Sequence, residues 1–355
     1  MDNKNNALQP REAVRKMRSY SPPTQGRRNM LRLDFNENTT GCSPLVLAAV
    51  LQTLSGEQVA TYPEYSNAIR TIATFLQVES DEVMLTNGTD EAIQVLVQTF
   101  VNPGDEVVVL HPSYAMYRFY AEVAGATVTE VEYRMDDDLA FPLESLLCVL
   151  SDKTKAVFIA NPNNPTGRAV SLQEIEQILQ SVPHAVVLVD EAYVDFSGIT
   201  ALDFVRRYSN LFVSRTFSKA YGMAGLRCGC LISQPNNIAW SRKAQSPYSV
   251  NVVAAIAASA AVLDTEWVSE YVRSVVEART YLVGELRRLG IRQFPTDGNF
   301  VLINVGDAAQ QLVAHMREKE ILIRDRSHEI PGCVRITIGT IEQMTRFINE
   351  LENLQ

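Results

Sequence analysis

Long apolar runs are missing from this sequence of 355 residues. The most apolar stretch, from Val250 to Leu263, is shorter than the ~20 residues that a membrane-spanning helix needs. The N-terminal segment, MDNKNNALQPREAVRKMRSY, also lacks the apolar centre of a secretory signal. We therefore expect a soluble, cytoplasmic protein that has no membrane partner.

Cysteine is scarce as well. The chain has five cysteines and no C-x-x-C motif. Cys228 and Cys230 are separated by one residue, but no set of His and Cys residues completes a zinc site around them. We expect free, buried thiols in a reducing compartment, with neither a disulfide framework nor a bound metal.

Positive charge is in deficit, with 32 Lys and Arg residues against 41 Asp and Glu residues and a net charge of −9. A surface of this sign repels nucleic acids and anionic lipids, so we expect neither as a partner. The remaining composition, 46% apolar and 21% charged, is ordinary for a globular protein. A chain of this length is expected to form two domains.

Internal repeats and low-complexity tracts are absent, and the middle of the chain instead alternates short β-branched runs with helical patterns. The runs are Val83–Leu85, Glu106–Leu110, Ala156–Ala160, Val186–Val189, Leu211–Ser214 and Cys230–Ile232. Amphipathic segments such as Leu172–Val182 lie between several of them. This alternation predicts an α/β fold with a largely parallel sheet covered by helices on both faces.

The pattern changes after Pro247. A helical stretch is predicted from about Val250 to Leu289, followed by two strand-like segments, Asn299–Val305 and Val334–Ile338, each with a helical stretch after it. This predicts a smaller α+β domain. We expect residues 40–245 to form the large domain, and residues 1–39 together with 246–355 to form the small one.

Polar motifs follow five of the predicted strands. They are T-N-G-T-D-E (Thr86–Glu91), H-P-S-Y-A-M-Y (His111–Tyr117), N-P-N-N-P-T-G (Asn161–Gly167), D-E-A-Y (Asp190–Tyr193) and R-T-F-S-K-A-Y-G-M-A-G-L-R (Arg215–Arg227). In open α/β sheets, ligands bind beyond the carboxyl ends of the strands. The five motifs therefore predict one shared pocket.

Three positions in these motifs indicate chemistry. Lys219 stands among small and hydroxyl residues, and a lysine in a tight, partly desolvated turn can lose its proton and attack a carbonyl, although most lysines are merely solvated. Asp190 closes the apolar run VVLV, where a buried carboxylate needs a cationic partner. The segment from Thr86 to Thr89 leads into a helical pattern, which suits a phosphate site or a simple N-cap.

Together these residues resemble the fold-type I aminotransferases, which depend on pyridoxal 5′-phosphate (PLP). The segment T-F-S-K-A-Y-G-M-A-G fits the lysine signature of that family, N-P-T-G and D-E-A-Y stand upstream in the family's order, and the resemblance covers nearly the entire chain. It implies a large domain built on a mostly parallel, seven-stranded sheet between helices, and a smaller α+β domain.

The resemblance implies roles around the cofactor ring. Lys219 would hold PLP as a Schiff base and later carry the proton at the substrate α-carbon. Asp190 would keep the pyridine nitrogen protonated, so that the ring can accept electrons. Asn164 and Tyr193 would donate hydrogen bonds to the phenolic oxygen, and Tyr114 would stack on the ring.

The resemblance also implies a phosphate site and a partner subunit. Backbone and hydroxyl groups of Gly88, Thr89 and Asp90 would bind the PLP phosphate, with the Asp90 side chain pointing away. Further contacts would come from Thr216, Ser218 and Arg227. Tyr62, in T-Y-P-E, matches a tyrosine that reaches this phosphate from the other subunit, which implies a homodimer with a shared active site.

Within the family, the chain looks most like the histidinol-phosphate aminotransferases. This resemblance is carried by L-D-F-N-E-N (Leu33–Asn38), T-Y-P-E (Thr61–Glu64), S-P-Y-S-V-N (Ser246–Asn251), I-L-I-R-D-R (Ile321–Arg326) and C-V-R-I-T-I-G-T (Cys333–Thr340). The sequence departs from that branch after N-E-N, where Thr39, Thr40, Gly41 and Cys42 replace a proline and a small-residue turn. The implied reaction converts L-histidinol phosphate and 2-oxoglutarate into imidazole-acetol phosphate and L-glutamate.

For the substrates, the resemblance assigns Arg335 to the α-carboxylate of glutamate, and the same arginine would take the phosphate of histidinol phosphate. Arg324 would assist it. Tyr20, Asn36 and Asn164 are further candidates for substrate contacts, and Arg326 is expected to be a surface charge.

Other functions stay open from the sequence alone. With the same cofactor, the chain could be an aromatic-amino-acid aminotransferase or a decarboxylase of a phosphorylated amino acid. An NAD-dependent dehydrogenase would need a G-x-G-x-x-G motif after the first strand, and none is present. A non-catalytic PLP-binding module is disfavoured by the joint presence of Lys219, Asp190, Asn164, Tyr193 and Arg335.

Overall fold

The computed structural model describes residues 8–17 and 25–353. Its strands are β1 Leu31–Leu33, β2 Val83–Thr86, β3 Glu106–His111, β4 Thr127–Glu132, β5 Thr154–Ala160, β6 Val186–Asp190, β7 Leu211–Thr216, β8 Gly229–Ile232, β9 Arg292–Gln293, β10 Phe300–Asn304, β11 Ile321–Asp325 and β12 Cys333–Thr337. Its helices are α1 Glu12–Lys16, α2 Pro44–Thr53, α3 Gly56–Ala60, α4 Ser66–Leu76, α5 Gly88–Phe100, α6 Met116–Ala124, α7 Leu143–Val149, α8 Leu172–Ser181, α9 Val194–Ser197, α10 Pro235–Ala244, α11 Val252–Ala261, α12 Thr265–Arg288, α13 Ala309–Glu318 and α14 Ile341–Glu352.

Seven strands form the larger sheet, in the order β2-β8-β7-β6-β5-β3-β4. Every neighbouring pair is parallel except the two that involve β8, which runs antiparallel to both β2 and β7. The predicted α/β class and the largely parallel sheet are therefore confirmed. All six predicted β-branched runs form strands of this sheet.

Both faces of the larger sheet are buried, because alternate residues of each central strand enter different cores. In β5, Val157 and Ile159 pack in a core with α4 and α8. Ala156 and Phe158 point the other way, into a core with α5 and α6. Helices on both faces thus explain why these strands are apolar without interruption.

One strand of this sheet was not predicted. β4 (Thr127–Glu132) is an edge strand that pairs only with β3, and Val131 is its one fully buried residue. Its polar alternation, T-V-T-E-V-E, lacks the continuous apolar run by which the central strands were recognised.

A second sheet has five strands, in the order β1-β11-β12-β10-β9. β10 and β12 were predicted, whereas β11 was not. β1 joins the edge of this sheet in parallel to β11, with Leu31 opposite Ile321. Residues 31–33 therefore pack, as β1, on the C-terminal part of the chain. The domain boundaries proposed above remain a prediction.

The helix predicted from Val250 to Leu289 is in fact two helices. α11 and α12 are separated at residues 262–264 and meet at an angle of 79°. Asp264 precedes α12 and Glu266 lies in its first turn, which is the acidic pattern of a helix start. Within the described ranges, this bent pair alone has the length and composition to be considered as a membrane span, and no single helix does.

Candidate functional site

Hydrogen bonds connect the five polar motifs to one another. Tyr114 bonds Asp90, Tyr117 bonds Asp190, Ser113 bonds Asn163, and Arg227 bonds Asp90. Each bond joins motifs that follow different strands of the larger sheet. The structure thus brings the five motifs together at one edge of that sheet.

Asp190 ends β6 and is almost fully buried, with 3% of its surface exposed. Tyr117 donates to one carboxylate oxygen at 2.8 Å and Ser214 to the other at 2.9 Å. These donors are uncharged. Burial raises the pKa of Asp190 to about 6, and the two hydrogen bonds oppose that rise. A cation beside this carboxylate would remove much of the cost of burying it.

Lys219 lies in the turn after β7 and is half-buried. Its Nζ atom donates to the backbone carbonyl of Phe35 at 2.9 Å and lies 5.6 Å from the ring centre of Tyr193. The amine therefore lies between Phe35 and the D-E-A-Y motif, at the edge of the sheet where the motifs meet.

The turn that contains Lys219 fits closely against residues 38–41. A Cβ atom added at Gly222 would lie 2.2 Å from the carbonyl oxygen of Gly41, and the φ angle of Gly222 is +70°. Asn38 reinforces the contact by donating to the carbonyl of Ala220 at 3.1 Å. Only glycine fits at position 222 without displacing one of these segments.

Groups that suit an anion lie together at the start of α5. Backbone N–H groups at a helix N-terminus favour negative charge, and Gly88 and Thr89 begin this helix. The buried hydroxyls of Thr89 and Ser218 have no hydrogen-bond partner among the described residues. The guanidinium of Arg227 is so near Gly88 that a Cβ there would lie 2.6 Å from its Nη2 atom. These groups have the chemistry to bind a phosphate.

The expectation for the Asp90 side chain is wrong. It points towards the site, accepting from Tyr114 at 2.6 Å and from Arg227 at 3.1 Å. The arginine and the phenol hold the Asp90 carboxylate at this position. Thr216 also lies here, and its hydroxyl accepts from the backbone N–H of Ser218 at 3.2 Å.

Arg335, on β12, is buried, with 5% of its surface exposed. Its guanidinium donates to the side-chain carbonyl of Asn164 and to the backbone carbonyl of Asp34, and both acceptors are uncharged. Burial and the nearby charges of Arg326 and Arg324 lower the pKa of Arg335 to about 9. A buried cation with neutral acceptors is a site for an anionic ligand.

Arg324 stands directly opposite Arg335 on the neighbouring strand, with paired Cα positions on β11 and β12. It is half-buried, and its guanidinium lies 5.7 Å from the ring centre of Phe35. Two like charges directly across a ladder destabilise it. A shared anion between them would offset that repulsion.

Arg326 is not the surface charge that was expected. Only 8% of it is exposed, and it pairs with Glu329 at 2.9 Å. The residue ends the I-L-I-R-D-R motif just after the unpredicted strand β11, so the sequence offered no sign that this position lies inside the fold.

Asn36 and Tyr193 are joined directly. The Asn36 amide donates to the Tyr193 hydroxyl at 3.0 Å, and both residues are buried. Since the tyrosine oxygen accepts this bond, its own proton remains available for a ligand. Asn36 thus lies in the site, against Tyr193.

One predicted site residue, Tyr62, lies apart from these contacts in the described part of the chain. Tyr62 is 74% exposed and stacks on Tyr248 at 4.2 Å between ring centres. Tyr20 falls outside the described residues.

Four groups in the site were missed by the sequence reasoning. They are the hydroxyls of Tyr117 and Ser214, which bond Asp190, and the backbone carbonyls of Asp34 and Phe35, which bond Arg335 and Lys219. Tyr117 stands inside a motif that was singled out, so its polar group beside an apolar helix was a usable signal. The hydrogen bonds of backbone carbonyls cannot be predicted from residue type, because every residue has a backbone carbonyl.

Comparison with known proteins bears on the whole arrangement. The model of the family described as "Aminotransferase class I and II" matches residues 28–351. The histidinol-phosphate aminotransferase of Symbiobacterium thermophilum is 36% identical over 360 residues, which cover 96% of this chain and 97% of that protein.

Solved structures are similar in fold. A putative histidinol-phosphate aminotransferase from Erwinia carotovora atroseptica superimposes with a TM-score of 0.85 at 26% identity, over 92% of this chain and 96% of that one. The histidinol-phosphate aminotransferase of Sinorhizobium meliloti, solved in complex with pyridoxal 5′-phosphate, gives 0.88 at 23% identity over 99% and 100%. The second comparison supports the fold alone.

Proposed function

The chain belongs to the class I and II aminotransferases, and we propose that it transfers the amino group of L-histidinol phosphate to 2-oxoglutarate. This reaction is a step of histidine biosynthesis. The products are imidazole-acetol phosphate and L-glutamate. The observation that carries the substrate assignment is the pair of facing arginines, Arg335 and Arg324, next to the pocket of Lys219.

The cofactor of this family is pyridoxal 5′-phosphate, and the residues present fit it. Its phosphate suits the N-terminus of α5, the unpartnered hydroxyls of Thr89 and Ser218, and Arg227. Its protonated ring nitrogen suits Asp190, whose buried carboxylate has only uncharged donors around it. When bound, the cofactor supplies a carbonyl that bonds amines and a ring that accepts electrons from the α-carbon.

In this proposal Lys219 would hold the cofactor and would carry the proton at the α-carbon of the substrate. Asp190 would stabilise a positive charge on the ring nitrogen. Tyr193, whose proton is free, and the amide N–H of Asn164, whose carbonyl is turned towards Arg335, would donate to the phenolic oxygen. Tyr114, whose hydroxyl donates to Asp90, would contribute an aromatic surface to the cofactor site.

Arg335 and Arg324 orient the substrate. Arginine binds carboxylates and phosphates through two parallel hydrogen bonds, so Arg335 can hold the α-carboxylate of glutamate and the phosphate of histidinol phosphate in turn. A phosphate dianion carries more charge than a carboxylate. Arg324 supplies a second positive charge, which the phosphate dianion needs and the carboxylate does not.

We expect the active unit to be a homodimer. Large apolar side chains are exposed along α2 and α3, with Leu45 61%, Leu47 57%, Leu51 82% and Val59 67% accessible. Tyr62 follows these helices and is exposed too. Such a surface favours burial against a second copy of this chain, which would bring Tyr62 to the other subunit's phosphate site.

Mixing two inactive variants tests the shared site. Tyr62→Ala and Lys219→Ala proteins, dissociated and reassembled together, should regain part of the wild-type activity, because one site of each mixed dimer has both residues. Sedimentation should give about twice the chain mass of 39.5 kDa. A fully active monomer would contradict the proposal.

Removing Arg324 tests the substrate. Arg324→Ala should weaken histidinol phosphate much more than glutamate, because a lost charge-assisted contact is worth roughly 1.5–3 kcal/mol, about ten- to a hundredfold in affinity. The measurement is a pair of half-reaction titrations, one for each amino donor, on the wild type and the variant.

Arg292→Ala is the matched control. It removes an arginine of the same sheet that pairs with Asp138 at 2.9 Å, outside the site, and should change neither donor. An equal effect of Arg324→Ala on both donors, or a wild-type preference for phenylalanine, would favour an aromatic aminotransferase. Release of carbon dioxide without use of 2-oxoglutarate would favour the decarboxylase.

A further inference from the structure

A transaminase with two amino donors must bind two different side chains in one place. On the proposed function, Lys219 faces the amine and Arg335 binds the phosphate or the α-carboxylate. The remaining substituent of the reacting carbon, besides its hydrogen, is the side chain of the amino donor. This side chain therefore enters the same space in both half-reactions. In histidinol phosphate it ends in an imidazole, which donates N–H groups, whereas in glutamate it ends in a carboxylate, which accepts hydrogen bonds.

Arg27 and Glu37 form an ion pair, which places one positive and one negative group side by side. Arg27 donates to one Glu37 oxygen at 2.8 Å and to the other at 3.3 Å. The same guanidinium is anchored from behind by the Asp34 carboxylate, at 2.8 and 3.1 Å. The Arg27 and Glu37 side chains are 15% and 23% exposed, and Glu37 also accepts a hydrogen bond from Arg32 at 3.3 Å.

This pair lies beside the groups that hold the reacting carbon. Phe35, two residues before Glu37, accepts the hydrogen bond of Lys219, and Asp34 accepts that of Arg335. The Arg27 guanidinium stacks on the Phe35 ring at 4.1 Å, and Arg324 lies 5.7 Å from the same ring centre.

Room and charge both suit a ligand here. A cavity of about 230 Å³ opens on Glu37, lined also by Met30, Leu31, Arg32, Asn38, Thr39 and Gln343. Partial burial raises the pKa of Glu37, but the hydrogen bond and charge of Arg27, with the charges of Arg32 and Lys219, outweigh it and lower the pKa overall. Glu37 is therefore a carboxylate at neutral pH.

We propose that the Arg27–Glu37 ion pair is the subsite for the side chain of the amino donor. Glu37 accepts an imidazole N–H of histidinol phosphate, and Arg27 donates to the γ-carboxylate of glutamate. A carboxylate without the arginine would repel the side chain of glutamate, and an arginine without the carboxylate would repel a protonated imidazole. The ion pair provides an acceptor for the imidazole and a donor for the carboxylate. Asp34 keeps Arg27 in place when Glu37 turns to the substrate.

The decisive variant is Glu37→Gln, which preserves the size of the side chain and removes its charge. The kcat/KM of the half-reaction with histidinol phosphate should fall about ten- to a hundredfold, as for the loss of a charge-assisted hydrogen bond, whereas the value for glutamate should not fall. Affinity gives a second readout through two analogues without the amine, 3-(imidazol-4-yl)propyl phosphate and glutarate. Calorimetric titration of the holoenzyme should show weaker binding of the first analogue only.

Asp34→Asn is the matched control, because Asp34 pairs with the same arginine from the opposite side. It should affect the two donors alike. The inference is overturned if Glu37→Gln affects both donors equally, or if Asp34→Asn reproduces the selective loss, since the pair would then be only structural. A wild type that prefers phenylalanine to histidinol phosphate would instead overturn the proposed function, so the two failures can be told apart.

Discussion

Lys219→Ala should abolish transamination, with a fall of at least about 10⁴-fold in the rate of each half-reaction. Proton transfer by a positioned side chain alone contributes about 10²–10⁴. The variant loses this transfer and also the covalent attachment of the cofactor. The Lys219 amine stands 2.9 Å from the Phe35 carbonyl, at the edge of the sheet where the polar motifs meet.

Borohydride reduction of the wild-type holoenzyme measures the attachment independently of turnover. Peptide mass analysis should find the cofactor on the peptide that contains Lys219. Lys243→Ala is the control, because Lys243 lies on α10 with its ammonium 3.9 Å from the ring centre of Trp240, and it should leave labelling and rate unchanged. Label on any other lysine would show that the assignment is wrong.

Asp190→Asn should slow each half-reaction by about 10²–10³, the usual cost of losing one well-placed electrostatic contact in an active site. The side chain keeps its size and can still meet Tyr117 and Ser214, so the loss comes from the charge beside the ring nitrogen. Single-turnover spectroscopy of the loaded enzyme measures this rate. A rate within a few-fold of the wild type would rule out the proposed role.

The same substitution should have the opposite effect on the apoprotein. The pKa of Asp190 is raised by burial from its ordinary value to about 6, so the folded state favours the protonated form. Its carboxylate therefore destabilises the wild-type apoprotein progressively as the pH rises from about 4 to about 6, by up to about 3 kcal/mol. Denaturant unfolding of apoprotein from pH 4 to pH 8 should show this fall in the wild type and not in Asp190→Asn.

The sequence was most informative where polar residues follow apolar strands. Val186–Val189 could be recognised as a strand from composition, and Asp190 then had to lie at its carboxyl end. The same argument placed Lys219 after Leu211–Ser214. The order of the strands was not needed for this inference, because the carboxyl ends of parallel strands lie at the same edge of the sheet.

What could not be predicted depends on contacts between distant parts of the chain. Arg326 became buried because β11 adds to β12, and a strand of five residues with two charges at its end does not reveal that partner. Asp90 turned inwards because Arg227, far along the chain, lies beside it. Both errors came from judging a charged side chain by its sequence neighbours alone.

Pairing between residues 31–33 and 321–323, which are far apart in the sequence, has a consequence for biosynthesis. Residues 31–33 gain their strand partner only from residues 321–323, and the stretch immediately after them carries the Asp34 and Phe35 carbonyls that meet Arg335 and Lys219. A nascent chain still on the ribosome can complete the larger sheet, whose strands all precede residue 233, but not this closure. Lys219 therefore acquires its final surroundings only after residues 321–323 have been synthesised, because the stretch that carries the Phe35 carbonyl is fixed by that pairing.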